Sequence, residues 1–113
     1  MSGALNIFKT VTANLTITNS SVYTPPIGYS SVILLAQISN IDPANTVEIS
    51  ANLGRPLGNV STMLVRNISI PSNDAINVLT GRLIMTFGDT FEVSASANAS
   101  AQLTLSLLET LTG

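Results

Sequence analysis

The sequence contains no cysteine, no histidine and no tryptophan. Without cysteine there is no disulfide framework and no thiol nucleophile. The lack of histidine removes the commonest general base and, together with the missing thiols, nearly all transition-metal sites. A Ser-His-Asp triad cannot be built, and a Ser-Lys arrangement would have to recruit Lys9, the single lysine. The composition therefore argues against an enzyme, and no cofactor or metal is expected.

Charge is scarce as well. Lys, Arg, Asp and Glu make up 9% of the chain, against roughly 25% in a typical soluble domain. Lys9, Arg55, Arg66 and Arg82 are scattered and the net charge is −2, which argues against a phosphate-backbone interface, since that needs clustered cations. No nucleic-acid partner is expected. No run approaches the ~20 apolar residues of a membrane-spanning helix, so no membrane partner is expected either. Residues 1–8 show neither the basic segment nor the apolar run of a signal peptide, and the expectation is synthesis in a cytoplasm.

Apolar residues reach 45%, only 4% of the chain is aromatic, and the mean hydropathy is +0.45. At 113 residues one modest core of Leu, Ile, Val and Ala is expected, burying roughly two-thirds of the unfolded surface. A lone monomer of this composition would expose neutral, partly apolar strand faces, because charge is what normally keeps a surface soluble. The chain is accordingly expected to be a homo-oligomer, with a trimer among the forms considered.

The dominant pattern has period two. Thr10–Thr18 alternates, with Val11, Ala13, Leu15 and Ile17 on one face. The stretch 19–28 carries Pro25-Pro26, which cannot donate ladder hydrogen bonds, and reads as a loop. Ser31–Ser39 is apolar on both faces and predicts a central strand covered on both sides. Asn40–Asn45 is a turn, Thr46–Leu53 alternates again, and Gly54–Gly58 breaks it. Val60–Ile70 is a further strand, closed by Pro71 and a Ser-Asn-Asp turn. Ile76–Leu79 is a short strand or part of a loop. Arg82–Phe87 and Thr90–Ala97 predict a hairpin around Gly88-Asp89. In Ala101–Leu111 the alternation of Leu103, Leu105 and Leu107 favours a strand over a helical turn.

These elements predict an all-β fold: an antiparallel two-sheet sandwich, jelly-roll-like, of seven to eight strands. Leu34, Ala36, Ile49, Val65, Leu83, Val93 and Leu105 are the expected core. Residues 9–113 form the single domain. Residues 1–8 form an N-terminal arm, whose Leu5, Ile7 and Phe8 precede the regular alternation and are expected to dock on an adjacent subunit.

The carboxylates Asp42 and Asp74 stand in turns beside asparagine, where they close local hydrogen bonds; no dense Asp-x-Asp spacing makes a calcium loop. Tyr23 and Tyr29 flank the Pro25-Pro26 loop. They are expected to pin it to the sandwich or to a neighbouring subunit, and the loop is expected to form part of the same contact surface as the arm. The alternative is an aromatic ledge for a sugar, making the chain a carbohydrate-binding or adhesion domain, although such platforms use more aromatic residues than this chain has.

From Ser31 to Glu109 the chain resembles small bacteriophage virion proteins. The resemblance rests on Ser31-Val-Ile-Leu-Leu-Ala-Gln-Ile-Ser-Asn40, Leu64-Val-Arg-Asn-Ile-Ser-Ile-Pro-Ser-Asn-Asp74, Gly81-Arg-Leu-Ile-Met-Thr-Phe-Gly-Asp89 and Leu103-Thr-Leu-Ser-Leu-Leu-Glu109. It implies a β-sandwich that decorates or cements heads, or serves as a neck or tail adaptor. The implied partners are copies of itself and other virion proteins, such as the major capsid or neck and tail proteins. It implies a place in the virion and no catalytic residue.

Overall fold

A computed structural model describes residues 6–55 and 60–111. These residues form nine strands and no helix: β1 Asn6–Asn14, β2 Ser20–Tyr23, β3 Tyr29–Asn40, β4 Val47–Arg55, β5 Val60–Ile70, β6 Ala75–Asn77, β7 Leu83–Met85, β8 Thr90–Ala95 and β9 Ala101–Leu111. Two antiparallel sheets pack as a sandwich. The first sheet runs β1-β9-β3, with β6 and β7 in line along the far side of β3; the second runs β2-β8-β4-β5.

Alternation produces this arrangement because successive side chains of a strand point to opposite faces. In β9, Ala101, Leu103, Leu105 and Leu107 are buried while the residues between them face out. In β4, Val47, Ile49, Ala51 and Leu53 point in, and in β8 so do Phe91, Val93 and Ala95. Phe91 is the largest fully buried side chain; the rest of the core is Leu, Ile, Val, Ala, one methionine, Met85, and one tyrosine, Tyr23.

Four expectations need correction. The stretch 19–28 is not all loop, since Ser20–Tyr23 is β2, paired with β8; four residues broken by a register shift are too short to show a period. The Gly88-Asp89 turn is present, with Gly88 at φ 94 and Asp89 N–H bonded to the Thr86 carbonyl at 3.0 Å. It is not a hairpin, however, because β7 and β8 belong to different sheets, so the turn carries the chain across the sandwich. β3 is central in its sheet but is covered on one face alone. Finally, Leu34 is 40% exposed because it is the extra residue of a β-bulge: Ile33 lies opposite Leu107 and Leu35 opposite Ser106. The bulge shifts the inward set from Ser31 and Ile33 to Ala36, Ile38 and Asn40. Of the other expected core residues, Ala36, Ile49, Val93 and Leu105 are buried, and Val65 and Leu83 pack partly buried against them.

The expected arm also divides differently. Leu5 lies outside the described residues. Asn6, Ile7 and Phe8 open β1, in unbroken register with Thr110, Glu109 and Leu108 of β9. An Asn- and Thr-rich edge strand can continue into an apolar segment without any turn signal, which is why the strand begins earlier than the alternation from Thr10 indicates.

Candidate functional site

The feature that stands out is a face, not a cleft. On the outer side of the first sheet, β1 contributes Asn6, Phe8, Thr10, Thr12 and Asn14, and β9 contributes Gln102, Thr104, Ser106, Leu108 and Thr110. β3 adds Ser30, Val32, Leu34, Leu35, Gln37 and Ser39, β6 adds Ala75 and Asn77, and β7 adds Ile84. Among the described residues, none of these positions is charged. The outer face of the second sheet differs, for it carries Glu48 and Glu92.

One row of the neutral face is apolar from edge to edge. Phe8 stands opposite Leu108, Leu108 opposite Val32, and Val32 opposite Ile84. Directly opposed residues of antiparallel strands share a face and touch through their side chains, so the four make a continuous stripe about 15 Å long at the usual strand spacing. Its ends protrude, with Phe8 77% and Ile84 62% exposed; Leu108 and Val32 are half-buried between them. Leu34 and Leu35 lie beside the stripe on β3. Isolated exposed apolar residues are ordinary, whereas a contiguous row inside a charge-free field is the composition of a protein contact.

Behind the row sits a buried polar cluster. Glu109, on the inner face of β9 and 2% exposed, accepts from Lys9 Nζ at 3.1 Å and from the Tyr23 hydroxyl at 2.7 Å. Ser31, fully buried on β3, hydrogen-bonds the same tyrosine oxygen. Burial, with the carboxylate alongside, pushes the Tyr23 phenol far above the ordinary range of tyrosine, although the bond to Ser31 acts the other way. The cluster ties β1, β2, β3 and β9 together, two sheets through one carboxylate. Among the described residues, every buried side-chain nitrogen and oxygen has a hydrogen-bond partner.

On the second sheet, the Glu92 carboxylate accepts from Thr90 Oγ1 at 2.6 Å, Asn52 Nδ2 at 3.1 Å and Asn19 Nδ2 at 2.8 Å. These bonds hold its carboxyl below the usual range. Asp42 accepts from the Ala44 and Asn45 amides, as its turn setting predicts.

Of the residues expected at a contact surface, Phe8 is placed on the outer face and Ile7 on the inner face, half-buried. Tyr29 is half-buried at the start of β3, opposite Leu111. Tyr23 is a core residue, 8% exposed, and its hydroxyl is engaged internally; with it buried, the two tyrosines do not form an open ledge for a sugar. Sequence reasoning missed Val32, Leu34, Ile84 and Leu108 as surface residues. Their shared signal was an apolar residue at an outward position, and it becomes visible only with the sheet order known.

No protein-family model and no curated protein matches this chain. Solved structures do. A subunit of the disulfide-linked pili of Bacillus endospore appendages aligns over 96% of this chain and 88% of its own, at 9% identity and a TM-score of 0.56. The infectious bursal virus T=1 particle protein aligns over 96% of this chain and 32% of its own, at 10% identity and a TM-score of 0.51. A pentameric capsid protein from metagenomic phage sequences aligns over 87% of this chain and 63% of its own, at 16% identity and a TM-score of 0.43. For the pilus subunit and the T=1 particle protein the likeness is one of fold.

Proposed function

We propose that the chain is a non-catalytic structural subunit of a bacteriophage virion. It decorates or cements the capsid, or joins neck and tail parts, by packing the outer face of its first sheet against copies of itself and against other shell proteins. The observation that carries this reading is the charge-free face crossed by the Phe8-Leu108-Val32-Ile84 row. Neutral Thr, Ser, Asn and Gln can hydrogen-bond across a contact without the desolvation cost of buried charge. The sandwich it shares with shell and pilus subunits is a fold suited to such packing, and the sequence resemblance to phage virion proteins points the same way.

Two measurements test the reading. Sedimentation at micromolar concentration should show an oligomer, and Phe8→Asn with Ile84→Thr should shift it toward monomer while the circular dichroism spectrum is unchanged. Particles banded on a density gradient from the source's lysates should contain peptides of this chain in many copies. A clean 11.8 kDa monomer that is absent from banded particles would overturn the proposal.

A further inference from the structure

Among the described residues the sandwich has four open sheet edges, and three of them are blunted. β6 and β7 are three residues each. β2 is four residues with a register shift. β5 is long, but its register against β4 slips twice, between Ile49 and Ala51 and again between Ala51 and Asn52, and Asn67 takes a φ of 51 there. Short strands and bulges are the means by which proteins stop an edge from templating another strand. β1 has none of them. All nine of its residues pair with β9 in one uninterrupted register, none is proline, and among the described residues nothing pairs with its other side. Its one charge, Lys9, does not guard the edge, because the ammonium is drawn to Glu109 on the β9 side.

We infer that the free edge of β1 pairs, antiparallel and about a two-fold axis through Thr10, with β1 of a second copy. This deepens the homo-oligomeric reading above and rests on it. Centring on Thr10 gives the full nine-residue overlap. Thr10 then meets Thr10, Asn6 meets Asn14 and Phe8 meets Thr12 on the outward side, while Lys9 meets Val11 on the inward side. Thr–Thr pairs are favourable cross-strand neighbours and like charges directly opposite are not, so an axis through Lys9, which would oppose the two ammonium groups, is excluded. A strand about 30 Å long on a molecule 22 Å thick presents a flank of roughly 650 Å², near the ~800 Å² per partner of a standard interface. A second copy fits this flank because pairing also joins the two charge-free faces into one continuous surface.

The natural absence of cysteine makes the test direct. At the axis, two Thr10→Cys residues would have Cα atoms about 4.5–5.5 Å apart, within the range a disulfide spans. Two Thr12→Cys residues would be four positions out of register, about 14 Å apart. Mild oxidation of the whole protein should give a reducible dimer for Thr10→Cys at least tenfold in excess of that for Thr12→Cys. Equal cross-linking of both variants would overturn the edge pairing. So would an oligomer in sedimentation with no Thr10→Cys dimer, an outcome that leaves the oligomeric reading standing and moves the interface elsewhere. A monomer in sedimentation with neither variant cross-linking would overturn both.

Discussion

Lys9→Met should destabilise the fold by far more than an ordinary surface substitution, and the buried cluster gives the size. Glu109 is 2% exposed and holds two donors, the Lys9 ammonium at 3.1 Å and the Tyr23 hydroxyl at 2.7 Å. Removing one partner of a fully buried pair costs about 3–5 kcal/mol, because the remaining charge is left uncompensated; an exposed pair is worth about 1 kcal/mol or less. The Lys9 side chain is 42% exposed, so water screens part of the interaction, while Tyr23 still donates to the carboxylate after the substitution. The expected loss is about 2 kcal/mol, between those limits. With a urea slope of roughly 1–3 kcal/mol/M, the unfolding midpoint should fall by about 0.7–2 M. Circular dichroism of the parent and the variant at one equal protein concentration holds the mass-action contribution of association fixed. Adding Glu109→Leu should recover most of the loss, since the double variant no longer buries a lone carboxylate. A Lys9→Met loss under about 0.5 kcal/mol would refute the reasoning, and would mean that the tyrosine alone satisfies Glu109.

Alkaline titration should reveal Tyr23. Its phenol is raised in the folded state, so above the unfolded value of about 10 the unfolded chain releases a proton that the folded chain retains. Stability should therefore drop by up to about 1.4 kcal/mol per pH unit beyond that point, a slope that Tyr23→Phe removes; an unchanged slope in that variant would assign it elsewhere. Glu92 carries the opposite sign. Its carboxyl is lowered, so the stability it contributes is present at neutral pH and is lost as the pH falls through the folded value, and Glu92→Gln should flatten the acid limb of the stability profile. Gly54→Ala should cost about 1–3 kcal/mol in urea unfolding, because a Cβ there would meet the Thr90 hydroxyl and sit 2.7 Å from Glu92 Oε2. Ile84→Ser on the outer face should change monomer stability by less than about 0.5 kcal/mol, while Leu107→Ala in the core should cost about 2–5 kcal/mol.

Where a segment kept one period, its structure was legible in the sequence. β9 has the limits its alternation predicts, β5 ends at Ile70 where Pro71 predicts it, and Val47, Ile49, Ala51 and Leu53 all point inward. What escaped depended on partners. The apolar pair Leu34-Leu35 reads as a strand covered on both sides, but it marks a bulge that turns one leucine to the surface. The Phe8-Leu108-Val32-Ile84 row joins four segments distant in sequence, and it exists only because β9 lies between β1 and β3. Tyr23 read as a loop residue beside two prolines, yet the carboxylate that draws it inward is 86 positions away.

The bulge in β3 also bears on how this chain can change in length. Deleting one residue from a regular central strand turns every side chain beyond it to the opposite face, which here would push Ala36 and Ile38 out of the core. Leu34 is the exception. Its neighbours Ile33 and Leu35 already face the consecutive residues Leu107 and Ser106, so excising Leu34 closes the ladder into a plain strand with both halves still facing as before. The central strand thus holds one position where a codon can be lost without inverting the core, and it lies on the face proposed to meet other subunits. A change in chain length at that point would alter the contact surface while leaving the fold in place.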